Sequence, residues 1–139
     1  LVAVGQGTLR GCDVPLIEVG PLSNAQLLPF FYSACDLFVC PSLQDNYPNT
    51  ILEAMGCGVP CVGYSTGGVP ELIEDYRNGF IAEKVGDSAS LAGAIMRYVQ
   101  LGMEIRNELG REARQSVYIR NRLELQSQQY TKVYEKLIV

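Results

Sequence analysis

Two carboxylates are the first residues that could do chemistry: Asp45 and Glu53, with Asn46-Tyr47-Pro48-Asn49-Thr50-Ile51-Leu52 between them. Asp45 follows Cys35-Asp36-Leu37-Phe38-Val39-Cys40-Pro41-Ser42, an apolar run of strand length stopped by Pro-Ser. It therefore falls just beyond the carboxyl end of a predicted parallel strand, where open α/β sheets bind their ligands. An ionised carboxylate accepts two hydrogen bonds side by side, and such charge-assisted bonds are shorter and stronger than neutral ones. Residues 46–51 read as the approach and first turn of a short helix that opens near Ile51 and stops at Gly56. Unpaired N–H groups and the positive end of the dipole at such a turn hold anionic charge without a metal. Pro48 has no N–H to give, which leaves Tyr47, Asn49, Thr50 and Ile51 as backbone donors, with Asn46 beside them.

Each acid also has a structural reading. Thr50-Ile51-Leu52-Glu53 fits a capping box, in which Glu53 would fold back onto the backbone of Thr50. Asp45 is placed to close an Asx turn with Tyr47. Glu71, in the first turn after Gly67-Gly68, reads more as a dipole-stabilised helix residue than as a ligand.

The block from Asp45 to Glu71 resembles the C-terminal, donor-binding domain of GT-B-fold glycosyltransferases of the retaining "glycosyl transferases group 1" family. That family carries two acids with seven residues between them, the second opening Glu-Ala-Met-x-x-Gly-x-Pro-Val, and a later Gly-Gly-x-Pro-Glu. Glu53-Ala54-Met55, Gly58, Pro60 and Gly67-Gly68-Val69-Pro70-Glu71 match, while Asp45 stands where Glu is usual and Asn46 where Gly is usual. With weaker signals the likeness runs from Val4 to about Ile138.

The resemblance implies a Rossmann-like, three-layer α/β domain with a parallel sheet, the C-terminal half of a GT-B fold lacking its first strand. It gives Glu53 the hydroxyls of a ribose, and Asp45 those of the transferred sugar beside the developing positive charge. Gly5, Gly7 and Gly20 would lie near the donor. The implied reaction moves a sugar with retention from a nucleotide-diphosphate sugar to a saccharide or lipid-linked acceptor, in cell-surface polysaccharide synthesis, with no metal or further cofactor. The family's first strand, its Arg- and Lys-bearing loop and its N-terminal domain with a His are not found in these residues, so a partner domain is expected and the chain alone is expected to be inactive. Two rivals stand beside this reading: another GT-B enzyme, of the nucleotide-sugar epimerase or glycogen/starch synthase type, and a non-catalytic interaction module that keeps the fold.

The elements that must position these residues follow from the pattern of apolar runs. Leu1–Val4 reads as a buried strand entering the turn Gly5-Gln6-Gly7, where Gly-x-Gly alone is a weak phosphate signal. Leu16–Gly20 is a second strand, and Ser23 or Asn24 caps a helix running to Cys35. Residues 37–40, 61–64 and 80–82 are further strands, and 70–75 a short helix. Apolar throughout rather than on alternate positions, such strands suit a parallel sheet covered on both faces. Three helices follow. The first starts at Asp87-Ser88 with Leu91, Ala92, Ile95, Met96 and Val99 on one face, the second runs from Met103 to Val117 with Leu109 and Ala113 inward, and the last spans Leu123–Leu137 with a stripe of Tyr130, Val133, Tyr134 and Leu137. In the doubly wound order the missing strand lies between those at Leu1 and Leu37, so closure of the two halves, or a strand lent by another copy, is expected.

Composition bounds the rest. The 139 residues are 47% apolar and 19% charged, enough for one domain with a real core. No apolar run approaches the roughly 20 residues that span a bilayer. Five cysteines and no histidine fit packing thiols in a reducing cytosol better than a metal site at Cys57-x-x-x-Cys61. The net charge of −4 is uneven: basic residues concentrate from Arg97 onward, which reads as solvated helix faces or as a flank touching anionic lipid at the inner membrane face. Nucleic acid is not supported, because no basic stripe is interleaved with aromatics.

Overall fold

The computed structural model describes residues 1–8, 10–11, 13–22 and 24–138. Strands β1 (Val2–Val4) and β2 (Ile17–Gly20) form one parallel pair. Strands β3 (Phe38–Cys40), β4 (Cys61–Tyr64) and β5 (Gly79–Ala82) form a separate parallel sheet in that order, with Val39 beside Val62 and Val62 beside Phe80. Between β2 and β3 lie a 3-10 turn (Ala25–Leu27) and helix α1 (Leu28–Ser33), opened by Pro29 in its first turn. Helix α2 (Asn49–Gly56) connects β3 to β4, and α3 (Val69–Leu72) leads toward β5. Helices α4 (Ser88–Val99), α5 (Met103–Arg120) and α6 (Leu123–Leu137) complete the chain.

Alternation along β4 makes the layers. Cys61 belongs to a cluster with Ile51, Ala54, Met55, Val69, Ile73 and Ala113, on the side of α2, α3 and α5. Val62 and Tyr64 face the other way, among Phe80, Ala94, Tyr98 and Leu109. Both faces of the sheet are covered, as apolar parallel strands require. Each fully buried Ile, Val or Phe contributes roughly 1.5–3 kcal/mol. Helix α5 reaches both clusters, through Ala113 and Leu109.

Local chemistry fixes the joints. Asp87 caps α4 by accepting from Ala89 N–H at 3.0 Å. At the end of α2, Gly58 has φ +81, and Gly58 and Val59 N–H return to Met55 O (2.8 Å) and Ala54 O (3.0 Å), a Schellman closure. Asn78 is fully buried and fully used: its amide donates to Leu72 O and Ser116 Oγ and accepts from Glu74 N–H.

Several expectations are corrected. The gap beside β1 is not closed: among the described residues β1 pairs only with β2 and β3 only with β4. Nor is β1 buried, with Val2 and Val4 about half exposed, because β1 and β2 pair outside the three-stranded sheet on which both buried clusters are built. On α4 the inward face is Leu91, Ala94, Ile95 and Tyr98, whereas Ala92, Met96 and Val99 are exposed. Tyr98 turns the helix this way by anchoring its hydroxyl on Asp36 O at 2.6 Å. Asn24 caps the 3-10 turn, accepting from Gln26 N–H at 3.0 Å; Ser23 and Cys12 lie outside the described residues. The α6 stripe is no correction: it is bare at Tyr130, Val133, Tyr134 and Leu137, as a helix that docks on another surface would leave it.

Candidate functional site

The loop carrying Asp45 is held by backbone rather than by side-chain packing. Gly68 N–H donates to Asp45 O at 3.1 Å and Thr66 Oγ to Leu43 O at 3.2 Å. A Cβ at Gly67 would sit 1.8 Å from Asp45 O, and one at Gly68 2.1 Å from Asn46 O. The two glycines therefore serve close approach between two loops, and Gly67, at φ +51, makes the turn as well. Tyr47 completes the clasp: its hydroxyl accepts from the Asn121 amide at 2.7 Å, tying the loop to the end of α5.

Asp45 does close the Asx turn, its Oδ1 accepting from Tyr47 N–H at 3.1 Å. Its Oδ2 has no partner among the described residues. Glu53 does not form the capping box. Helix α2 starts two residues earlier than expected, at Asn49, with Pro48 as a cap that offers no side-chain bond. That shift places Glu53 beyond the reach of a first-turn cap, and its Oε2 instead accepts from Tyr32 Oη at 3.0 Å. Tyr32 was not read from sequence as a site residue. It stacks edge-on against Phe38, and burial, then the bond to Glu53, pushes its phenol well above the usual value. The phenol is thereby kept protonated, as a donor toward Glu53.

The N-terminus of α2 offers fewer donors than expected. Tyr47 N–H is spent on Asp45 and Ile51 N–H on Pro48 O at 3.2 Å, while Asn49 and Thr50 N–H carry no partner among the described residues. The consequence is two unpaired amides at the start of an eight-residue helix, flanked by Asp45 on its approach and Glu53 one turn in. Asn46, Asn49, Thr50 and Glu53 are exposed, so the site is an open shelf rather than an enclosed pocket.

Gly5, Gly7 and Gly20 all have positive φ, and Gly5 N–H donates to Gly20 O at 2.9 Å. They form the turn at the carboxyl ends of β1 and β2, with open space beside each. Glu71 sits exposed in the first turn of α3. The Cys61 thiol is buried and directed at Val59 O and Ile51 O, a packing role.

The parallel sheet covered by helices on both faces, with two acids and two unpaired amides just beyond β3, defines a Rossmann-like α/β domain. The pattern of the family "Glycosyl transferases group 1" matches residues 18–116, and the chain belongs to that family. It is similar to N-acetyl-alpha-D-glucosaminyl L-malate synthase of Bacillus anthracis, 36% identical over 99 residues, covering 71% of this chain and 26% of that protein. It also resembles GDP-mannose-dependent alpha-mannosyltransferase of Mycolicibacterium smegmatis, 30% identical over 124 residues, covering 86% and 32%. The chain thus spans about a quarter to a third of these relatives. In fold it is similar to Anabaena Alr3699/HepE in complex with UDP-glucose, with a TM-score of 0.81 at 23% identity, covering 97% of this chain and 40% of that one. No helix among the described residues is long and apolar enough to cross a membrane.

Proposed function

We propose that this chain is the donor-binding domain of a retaining glycosyltransferase that moves a sugar from a nucleotide-diphosphate sugar to a saccharide or lipid-linked acceptor in cell-surface polysaccharide synthesis. The observation that carries the reading is the shelf itself: two carboxylates, each with a free oxygen, on either side of two unpartnered helix amides. Glu53, steadied by Tyr32, grips the vicinal hydroxyls of the ribose. Asn49 and Thr50 N–H take the diphosphate, whose charge the helix dipole stabilises without a metal. Asp45 accepts from hydroxyls of the transferred sugar through its free Oδ2 and lies near the anomeric carbon as positive charge grows there.

An open shelf does not exclude water, so a second domain facing it completes the site, brings the acceptor and makes turnover efficient. The isolated chain is then a nucleotide binder without turnover, working in the cytosol against the inner face of the membrane. Titration of the intact protein with UDP, GDP and their sugars tests this. Binding of one series, weakened roughly 10–100-fold by Glu53→Ala, is expected from the loss of two bonds to a charged acceptor. Silence toward every nucleotide, with the fold intact, would overturn the reading and favour an interaction module.

A further inference from the structure

At the other end of the sheet a cavity of about 580 Å3 opens between the first half of α5 and the residues that lead into β3 and β4. Asp36, just before β3, and Pro60, just before β4, form its floor. Its back wall is the contact of two glycines: a Cβ on Gly110 would come 2.5 Å from Gly58 O. Arg106, Asn107, Arg111 and Arg114, on the same helix as Gly110, also line the space. Asn107, Arg111 and Arg114, spaced four and three apart, share that helix face.

Three guanidinium groups border the cavity against a single carboxylate, Asp36. Arg106 is fixed: its Nε donates to Leu101 O at 3.0 Å, a second nitrogen donates to Val99 O, and the group lies over the Tyr98 ring. Arg111 and Arg114 are exposed and have no partner among the described residues. By contrast, Arg77, Arg97 and Arg120 are each paired with a carboxylate. Two unpaired cations held at the rim of one concave site, beside a third already oriented, make a cradle for an anion. Arginine's fork of donors matches phosphate oxygens in pairs. Leu101 and the exposed Met103 supply an apolar side at the mouth.

We propose that this cavity is a second binding site, separate from the donor shelf, for a phosphate-bearing anion clamped by Arg111 and Arg114. The same chemistry is presented by the headgroup of an anionic lipid and by a soluble phosphate ester. Two measurements on the intact protein distinguish them: calorimetric titration with inorganic phosphate, pyrophosphate and glycerol 1-phosphate, and co-sedimentation with vesicles of phosphatidylglycerol in phosphatidylcholine against phosphatidylcholine alone.

Three variants serve both assays. Arg111→Glu with Arg114→Glu inverts the clamp, Asn107→Trp fills the cavity without changing charge, and Lys132→Glu with Lys136→Glu makes the same charge change on α6. Thermal melts confirm that each is folded. Binding in either assay, lost at least ten-fold in the first two variants and retained in the third, is the expected result; the assay that responds names the source. No binding in either assay overturns the proposal. So does equal loss in both charge variants, which marks a general charge effect, or binding that survives Asn107→Trp, which places the anion outside the cavity.

Discussion

Glu53 and Tyr32 work as a pair, and their geometry separates affinity from folding. Tyr32 donates to one carboxylate oxygen at 3.0 Å and leaves the other open. Removing the hydroxyl in Tyr32→Phe keeps the ring against Phe38 but frees the carboxylate to rotate. A loss of about 3–10-fold in nucleotide affinity is expected, with melting temperature nearly unchanged, since one net bond to a charged group is at stake. Calorimetry beside a thermal melt checks both halves. The placement of Asp45 just past β3 and of Glu53 on α2 was legible in sequence, because strand end, loop and helix follow one another along the chain. Tyr32 was not, because its bond to Glu53 joins two helices 21 positions apart, and an unremarkable tyrosine in α1 carries no sign of that partner. The same limit explains Asn121, whose hold on Tyr47 spans 74 positions.

At the scale of elements, the loops decide more than the helices. Gly68 faces Asn46 O so closely that Gly68→Ala must part the Asp45 loop from the turn before α3. We expect a cost of roughly 1–3 kcal/mol and loss of donor binding. Gly93, in the middle of α4 with nothing near a Cβ, is the contrast: Gly93→Ala should stabilise by about 0.5–1 kcal/mol with binding untouched. Chemical denaturation of the two variants side by side decides the matter.

A different joint responds to acid. Glu74 accepts from Arg77 at 2.7 Å and pairs with Arg120 on α5, and these partners hold its carboxyl below the ordinary value of 4.5. A depressed folded value means that its contribution is complete above the ordinary value and fades as pH drops through the folded one. Stability should therefore fall below about pH 4.5, and melts of Glu74→Gln against pH should show a shallower acid slope. Element types were legible from apolar runs and caps, and residues 61–64 and 123–137 match the expected bounds. The register of α4 was not, since Tyr98 is fixed by a carbonyl supplied from Asp36, 62 positions away.

Across the whole molecule, stability is unevenly shared. Every buried apolar residue among those described lies at or beyond Cys40, while Val2, Val4 and Ile17 are about half exposed or more. Amide exchange followed by mass spectrometry should find β1 and β2 opening readily and β3, β4 and β5 protected up to the global unfolding limit. Comparable protection in both groups would show that the leading pair is secured by contacts not seen here. The parallel sheet and its covered faces were readable from composition and runs. The open gap was foreseen as a vacancy, but its outcome was not, because pairing across it depends on a strand that these residues do not supply.

That division has a practical side. Helix α5 joins both halves of the interior, so damage to Leu109 or Ala113 is felt everywhere at once. The opening ribbon, by contrast, rides on a body already finished without it. Gly5, Gly7 and Gly20 all sit at positive φ, so a side chain there strains the ribbon itself while the body stays folded, and a change in ligand preference has to be weighed against that local distortion.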